Sequence, residues 1–281
     1  MSVPHQARQA AVLDAAQVLR GPLPEEISMA PVLAGVPFAH ERTVFDGADG
    51  LFAVWACGAG VFPRVKDKRG SFMYIISGDA TIVDADGTAH ELTAGCVLVL
   101  PFGWAGTWHI RETIRKVYLH TTPVPPLPST VVASAFLPAD PVPAGAVPAG
   151  AIPAGALASA TAAPDTPAAT DTVVFDGPDG RCDIRSREPG QYPSTQGQHG
   201  FFGFVLAGDG FLVDNDGTRH EFTPGSVFAL PSSWSGTWDI RRAVRAFCVR
   251  STPAPAATPA PAATSAPAAT PASPAPPAPP A

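Results

Sequence analysis

Arg64, Lys66 and Lys68 alternate along the stretch RVKDK, residues 64–68. In an extended strand, residues two apart share a face, so these three cations point the same way. Turned into a barrel, they would form a cationic pocket for a carboxylate or phosphate. Turned outward, they would guard an edge strand against pairing with another chain. Tyr74 lies downstream in the apolar run FMYII and carries a hydroxyl that could hydrogen-bond a ligand. His199 is the histidine best placed to reach a barrel mouth, although a lone imidazole without a carboxylate neighbour is a weak acid–base group. His90 and His220 each precede a glutamate and follow an Asp-Gly hairpin, which points to a surface hairpin role ahead of a metal or acid–base one.

The elements that must position these residues come in two copies. FDGADG at 45–50 returns as FDGPDG at 175–180, and GTWHIR at 106–111 returns as GTWDIR at 236–241. Phe45 matches Phe175, Gly78 matches Gly208, Pro101 matches Pro231 and Trp108 matches Trp238, all at one offset of 130 residues without a gap. A constant offset is the mark of duplication of one folding unit.

Within a copy, short runs rich in β-branched and aromatic residues are separated by Gly, Pro and Asp-Gly turn signals. In the first copy these runs are Leu51–Ala56, Phe62–Lys66, Phe72–Ile76, Ala80–Val83, Thr88–Leu92, Cys96–Leu100, Thr107–Ile110 and Ile114–His120. Ser77-Gly78-Asp79 reads as a turn, and Asp84 to Gly87 as a hairpin. The spacing predicts an all-β sandwich or barrel in each copy. Only Ala7 to Arg20, closed by Gly21-Pro22, has helical composition, and PLPEEISMAPVLAGVPF after it reads as an extended strap.

The implied organisation is a lead-in over residues 1–42, a domain at 43–123, a Pro/Ala/Gly-rich linker at 124–172, a second domain at 173–252 and a Pro/Ala tail at 253–281. The linker and tail have too few large apolar groups for a core and are expected to be disordered or extended. Within the linker, VVASAFL at 131–137 is apolar enough to be a docked strand.

Composition excludes several classes. The net charge is -6 with 15% charged residues and no basic cluster, so nucleic acid is not an expected partner. No run approaches the roughly 18 apolar residues of a membrane span, and no basic, apolar leader opens the chain. The four cysteines, Cys57, Cys96, Cys182 and Cys248, have no paired spacing and do not recur between copies. Free buried thiols in a reducing, cytoplasmic setting are expected. A homodimer is the assembly considered.

Gly78 after FMYIIS, the hairpins DADGT and DNDGT, Gly95 with Pro101, Gly225 with Pro231, and the blocks WAGTWHIRETIRK and WSGTWDIRRAVR resemble the cupin superfamily. They are most similar to the small cupins of the (S)-ureidoglycine aminohydrolase and ethanolamine-utilisation types. The resemblance implies a bicupin of two jelly-roll barrels packed face to face. It also implies positions for a metal shell of histidines and a glutamate. Those positions hold Ser71 and Phe201 for the glutamate, RVKDK and STQGQ for the paired histidines, and Gly106 and Gly236 for the last histidine. None is a ligand, so no metal or other cofactor is expected.

The expected function is metal-independent binding of a small polar or anionic metabolite, with Arg64, Lys66, Tyr74 and His199 as the site and no catalytic residue assigned. An enzyme of the ureidoglycine aminohydrolase kind and a structural or partner-binding bicupin are the alternatives. Trp104, Trp108, Trp234 and Trp238 are expected in cores and turns. Arg111, Arg115, Arg241 and Arg245 are expected to hold structure, for example against Asp46 or Asp176.

Overall fold

Aromatic and β-branched runs bounded by glycine turns become two antiparallel barrels. The protein is described by a computed structural model covering residues 9–121, 134–138 and 171–252. The linker and tail expectations for residues 124–133, 139–170 and 253–281 fall outside these described residues.

In the first barrel the strand order is Ala135–Leu137, Val97–Leu100, Ser71–Asp84, Ala105–His120, Gly50–Cys57, Ala39–Gly47 and Glu25–Ile27. Gly60–Val65 adds to Ala105–His120, and Ala89–Leu92 adds to Ser71–Asp84. The second barrel repeats the plan around Phe201–Asp214 and Ser235–Ser251.

Two long strands in each copy hold the barrel together. Ser71–Asp84 runs unbroken through the expected turn at 77–79, and Ala105–His120 joins the two runs expected as separate strands. The turn chemistry is present but is used as a kink. Register shifts cluster between Ile110 and Lys116 opposite Gly78. Gly78 has φ +98°, and a Cβ there would lie 2.4 Å from the Thr113 carbonyl oxygen. Only glycine satisfies both conditions, and Gly208 repeats the situation against Ala243. The kink lets one strand pair with different neighbours along its length, which curls the sheet.

Phe72–Ile76 is buried on both faces, which explains its continuous apolar pattern. Met73 and Ile75 turn into the first barrel, where they pack with Trp55, Trp104, Trp108 and Tyr118. Phe72 and Tyr74 turn the opposite way, into a core shared by both barrels with Val117, Phe202, Phe204 and Phe247. A third cluster, including Phe222, Phe228 and Trp234, fills the second barrel.

The seam also carries a reciprocal pair of hydrogen bonds. Phe102 N–H donates to Asp179 Oδ2 and Ser232 N–H to Asp49 Oδ2, each at 2.8 Å. These pairs are equivalent under the repeat offset, so the barrels meet about a pseudo-twofold axis.

Each barrel has one edge strand covered by a segment from outside the repeat. Ala135–Leu137 pairs with Val97–Val99 as the linker pattern anticipates, and Ala11–Leu13 pairs with Val227–Ala229. The helix is accordingly shorter than expected. It spans Ala15–Arg20, because the Asp14 carboxylate caps it by accepting from Gln17 N–H at 3.0 Å. The segment before that cap is drawn into the sheet instead.

The strap docks as well. Glu25–Ile27 pairs with Ala39–Glu41, and Met29 is buried against the first barrel. All four cysteines are free and buried. No helix among the described residues is long and apolar enough to cross a membrane.

Candidate functional site

The first barrel encloses a cavity of about 540 Å³. Its floor and walls come from the inward side of each strand. Trp55, Met73, Trp108, Lys116, Tyr118 and His120 line it, Phe62, Arg64 and Lys66 form one side, and Ile27 to Pro31 of the strap close over it beside Glu41. Lys116, Tyr118 and His120 alternate inward, whereas Val117 and Leu119 between them face the shared core.

Lys116 is buried in the cavity wall, with 8% of its surface exposed. Its Nζ lies 4.2 Å from the Trp55 ring centre and 4.4 Å from that of Trp108, over their faces. The Met73 sulfur is 3.2 Å away. Burial, reinforced by the nearby Lys66 cation, holds the Lys116 amine well below the ordinary lysine pKa.

Lys66 Nζ lies 3.2 Å from His120 Nε2. Burial and then the Arg64 charge bring Lys66 down to about 8. Burial and the Lys66 cation keep His120 well below its usual range, so the imidazole is neutral and accepts from Lys66.

On the same wall Tyr118 Oη donates to Glu41 Oε2. Burial raises the Glu41 pKa against the opposing effect of that hydrogen bond. The Arg64 guanidinium sits 4.6 Å from the Phe62 ring centre and donates to the Pro63 carbonyl at 2.8 Å. It also reaches Met29 Sδ at 3.3 Å, which ties the strap to the site.

Of the four residues expected at a site, the structure brings Arg64 and Lys66 together in this cavity. Lys68, one step further along the alternation, is exposed. Tyr74 is elsewhere. It packs between the barrels, 5.1 Å from Phe204 and 5.8 Å from Phe247 by ring centres, because its strand neighbour Met73 takes the inward position. His199 lines neither cavity. The turn at Gly197–Gly200 swings it to the seam, where Nδ1 lies 2.8 Å from the Ser251 carbonyl.

Residue-level reading missed Lys116, Tyr118, His120 and Glu41. A usable signal was present, since these are inward positions at which the copies differ. Their counterparts are Ala246, Cys248, Arg250 and Asp171.

Recurrent residues instead hold structure. Trp104 Nε1 donates to Asp84 Oδ1 at 2.8 Å and Trp234 Nε1 to Asp214 Oδ1 at 2.7 Å, both buried. His220 and His90 are part-buried beside those same carboxylates, His220 at 2.9 Å and His90 at 3.9 Å, rather than lying free on a hairpin surface. Arg111 pairs with Asp79 and Glu91, and Arg115 donates to the carbonyls of Gln17, Val18 and Gly21 at the helix end. Neither pairs with Asp46 or Asp176; Asp176 is bound by Arg181.

The second barrel has a smaller cavity of about 330 Å³. Arg185, Arg187 and Arg250 line it, and Arg185 stands at the strand position that holds Trp55 in the first copy, opposite Ala246. The Arg185 guanidinium is neutralised by two hydrogen bonds to Asp183, at 2.8 and 2.9 Å. The first cavity keeps its cations without such a partner, because its Glu41 carboxylate is engaged by Tyr118.

A metal shell does not fit these residues. Among the described residues, no three His, Cys, Asp or Glu side chains converge. A Cβ at Gly106 would lie 2.3 Å from the Val83 carbonyl oxygen and 2.4 Å from the Trp104 ring, so that ring fills the space a ligand side chain would need. Gly236 has the same relation to Trp234. Lys66 and Arg64 further oppose a divalent cation.

Comparisons with known proteins agree with this architecture. The model of the EutQ-like cupin domain matches residues 48–118 and 180–246. A Pseudomonas syringae pv. tomato protein of unknown function, from the DUF861 family, is 15% identical with a TM-score of 0.58, over 87% of this chain and 100% of that one. The salicylate 1,2-dioxygenase of Pseudaminobacter salicylatoxidans is 13% identical with a TM-score of 0.57, over 88% and 85%. A Cupin 2 conserved barrel domain protein from Leptotrichia buccalis is 10% identical with a TM-score of 0.52, over 80% and 100%. At these identities the likeness shows the fold alone. A search of curated proteins finds no match.

Proposed function

We propose that the first barrel of this chain, both halves of which match the EutQ-like cupin domain, binds a small carboxylate-bearing metabolite and does so without a metal. One observation carries this reading: Arg64 and Lys66 meet in a single cavity, with the Lys116 amine behind them, whose carboxylate, Glu41, is occupied by Tyr118. A cavity with excess positive charge and aromatic walls is complementary to a small anion with a short carbon skeleton. The dry walls strengthen each charge-assisted hydrogen bond. The second barrel, whose cavity is smaller and whose Arg185 is paired with Asp183, is not the site in this reading.

The test is a calorimetric titration with short mono- and dicarboxylates. Wild type binds, Arg185→Gln binds equally, and Lys66→Gln loses about 10–100-fold, the worth of one charge-assisted hydrogen bond. Equal loss in Arg185→Gln, or no binding by wild type, would count against it. A metal-assisted hydrolase or isomerase is the competing reading, and stoichiometric manganese, iron or zinc in the purified protein would favour it.

A further inference from the structure

Binding alone leaves Lys116 underused. An anion is held best by a hydrated or forked cation, and Lys66 and Arg64 already supply such groups in the cavity wall. Lys116 lies deeper. Among the described residues its amine meets the Met73 sulfur and ring faces, with no carboxylate or carbonyl hydrogen-bonded to it. A lysine amine enclosed by apolar groups and set beside another cation is the arrangement that yields a neutral, nucleophilic nitrogen.

We propose that Lys116 forms an imine with the carbonyl carbon of a 2-oxo carboxylic acid bound in the first barrel. The inference rests on the carboxylate-binding reading for one half of the ligand. Lys66 and Arg64 take the carboxylate, and the adjacent carbonyl is presented to Nζ. The nitrogen lone pair forms the C–N bond while the C=O π pair moves to oxygen. One proton leaves nitrogen and one reaches that oxygen, giving a carbinolamine. Protonation of its hydroxyl then releases water, and the nitrogen lone pair closes the C=N bond.

Glu41 and Tyr118 are the proton carriers on the same cavity wall. The Glu41 carboxyl is raised by burial toward its protonated form and is linked to the Tyr118 hydroxyl. The protonated imine would rest on the Trp55 and Trp108 faces, which favour a cation in a dry site. The second barrel has Ala246 at the equivalent position and cannot react in this way.

The chain has three lysines, Lys66, Lys68 and Lys116, which makes the test clean. The full chain is incubated with pyruvate and sodium cyanoborohydride near neutral pH, then digested and mapped by mass spectrometry. The expected result is one reduced adduct per chain on Lys116, on the order of tenfold above Lys68. Excess propionate, which has the carboxylate and lacks the carbonyl, should suppress it.

Lys116→Met and Lys116→Arg should both abolish the adduct while retaining a cooperative melting transition. Should either fail to fold, the wild-type map alone decides. No adduct, or adduct confined to Lys66, Lys68 or the N-terminus, overturns the proposal. Propionate that raises the melting temperature without pyruvate labelling Lys116 would leave carboxylate binding standing and remove the imine. Failure of both removes both.

Discussion

Lys116 and Trp55 stand opposite each other on neighbouring strands, with the amine 4.2 Å from the ring centre, and the second barrel places its basic residue on the other of the two strands. There Arg185 occupies the tryptophan's position and Ala246 the lysine's. Each barrel therefore keeps one basic side chain at this level, supplied from adjacent strands. Only the second gives that side chain a carboxylate, Asp183.

Lys116 should cost stability at neutral pH. Its folded pKa lies below the ordinary value of 10.5. As pH falls below 10.5 the unfolded chain takes up a proton that the folded chain does not, so folding loses stability until the folded pKa is reached. Lys116→Met should raise stability at pH 7 by about 1–3 kcal/mol, the scale on which apolar replacements relieve buried charge. The gain should shrink as pH rises toward 10.5. Denaturant melts across that range check both the sign and the slope.

Anion binding should weaken as pH rises through about 8, because Lys66 then loses its proton. A bound carboxylate favours the ammonium, so the midpoint in the complex should lie higher than in the free protein. Affinity measured against pH should show this fall in wild type and a flatter profile in Lys66→Gln.

Trp104→Phe and Trp234→Phe should each cost about 1–3 kcal/mol, since each strands a buried Asp oxygen that the indole N–H now satisfies. The two losses should be similar in thermal melts, because the arrangement recurs. A much smaller loss in both would show that the Asp84 and Asp214 partners compensate.

These paired losses mark what could be read from the chain beforehand. Duplication, strand content and the barrel class follow from the constant offset and the Gly and Asp-Gly punctuation, and both barrels have that form. The expected turn at Gly78 is a kink inside one strand, because its local chemistry serves a turn or a bend equally well and the partner strand decides between them. The helix is cut short by Asp14, whose cap competes with the composition before it.

The site was legible in part. Arg64 and Lys66 fall on one inward side as their alternation suggests. Tyr74 faces the other barrel because a run buried on both sides gives no parity signal. Lys116 was hidden in IRKVY, where the bulges between Ile110 and Lys116 reset which residues point inward.

Asp49 and Asp179 should contribute similarly to the seam, since each accepts one backbone N–H across it at 2.8 Å. Asp49→Ala and Asp179→Ala are each expected to cost about 1–2 kcal/mol. Burial raises the Asp179 pKa, and its Oδ1 is buried without a partner among the described residues. Asp179→Asn should therefore be close to neutral at pH 7, retaining an acceptor while removing the charge. Chemical denaturation of the three variants tests the ranking.

The most direct test of a charged first barrel uses its lysines as reporters. With the lysine ε-carbons labelled, three NMR resonances report Lys66, Lys68 and Lys116. Titration with propionate should shift Lys66 and Lys116 together and leave Lys68 in place. Propionate shifting Lys68 alone, or shifting none of the three, would contradict a carboxylate site in this cavity.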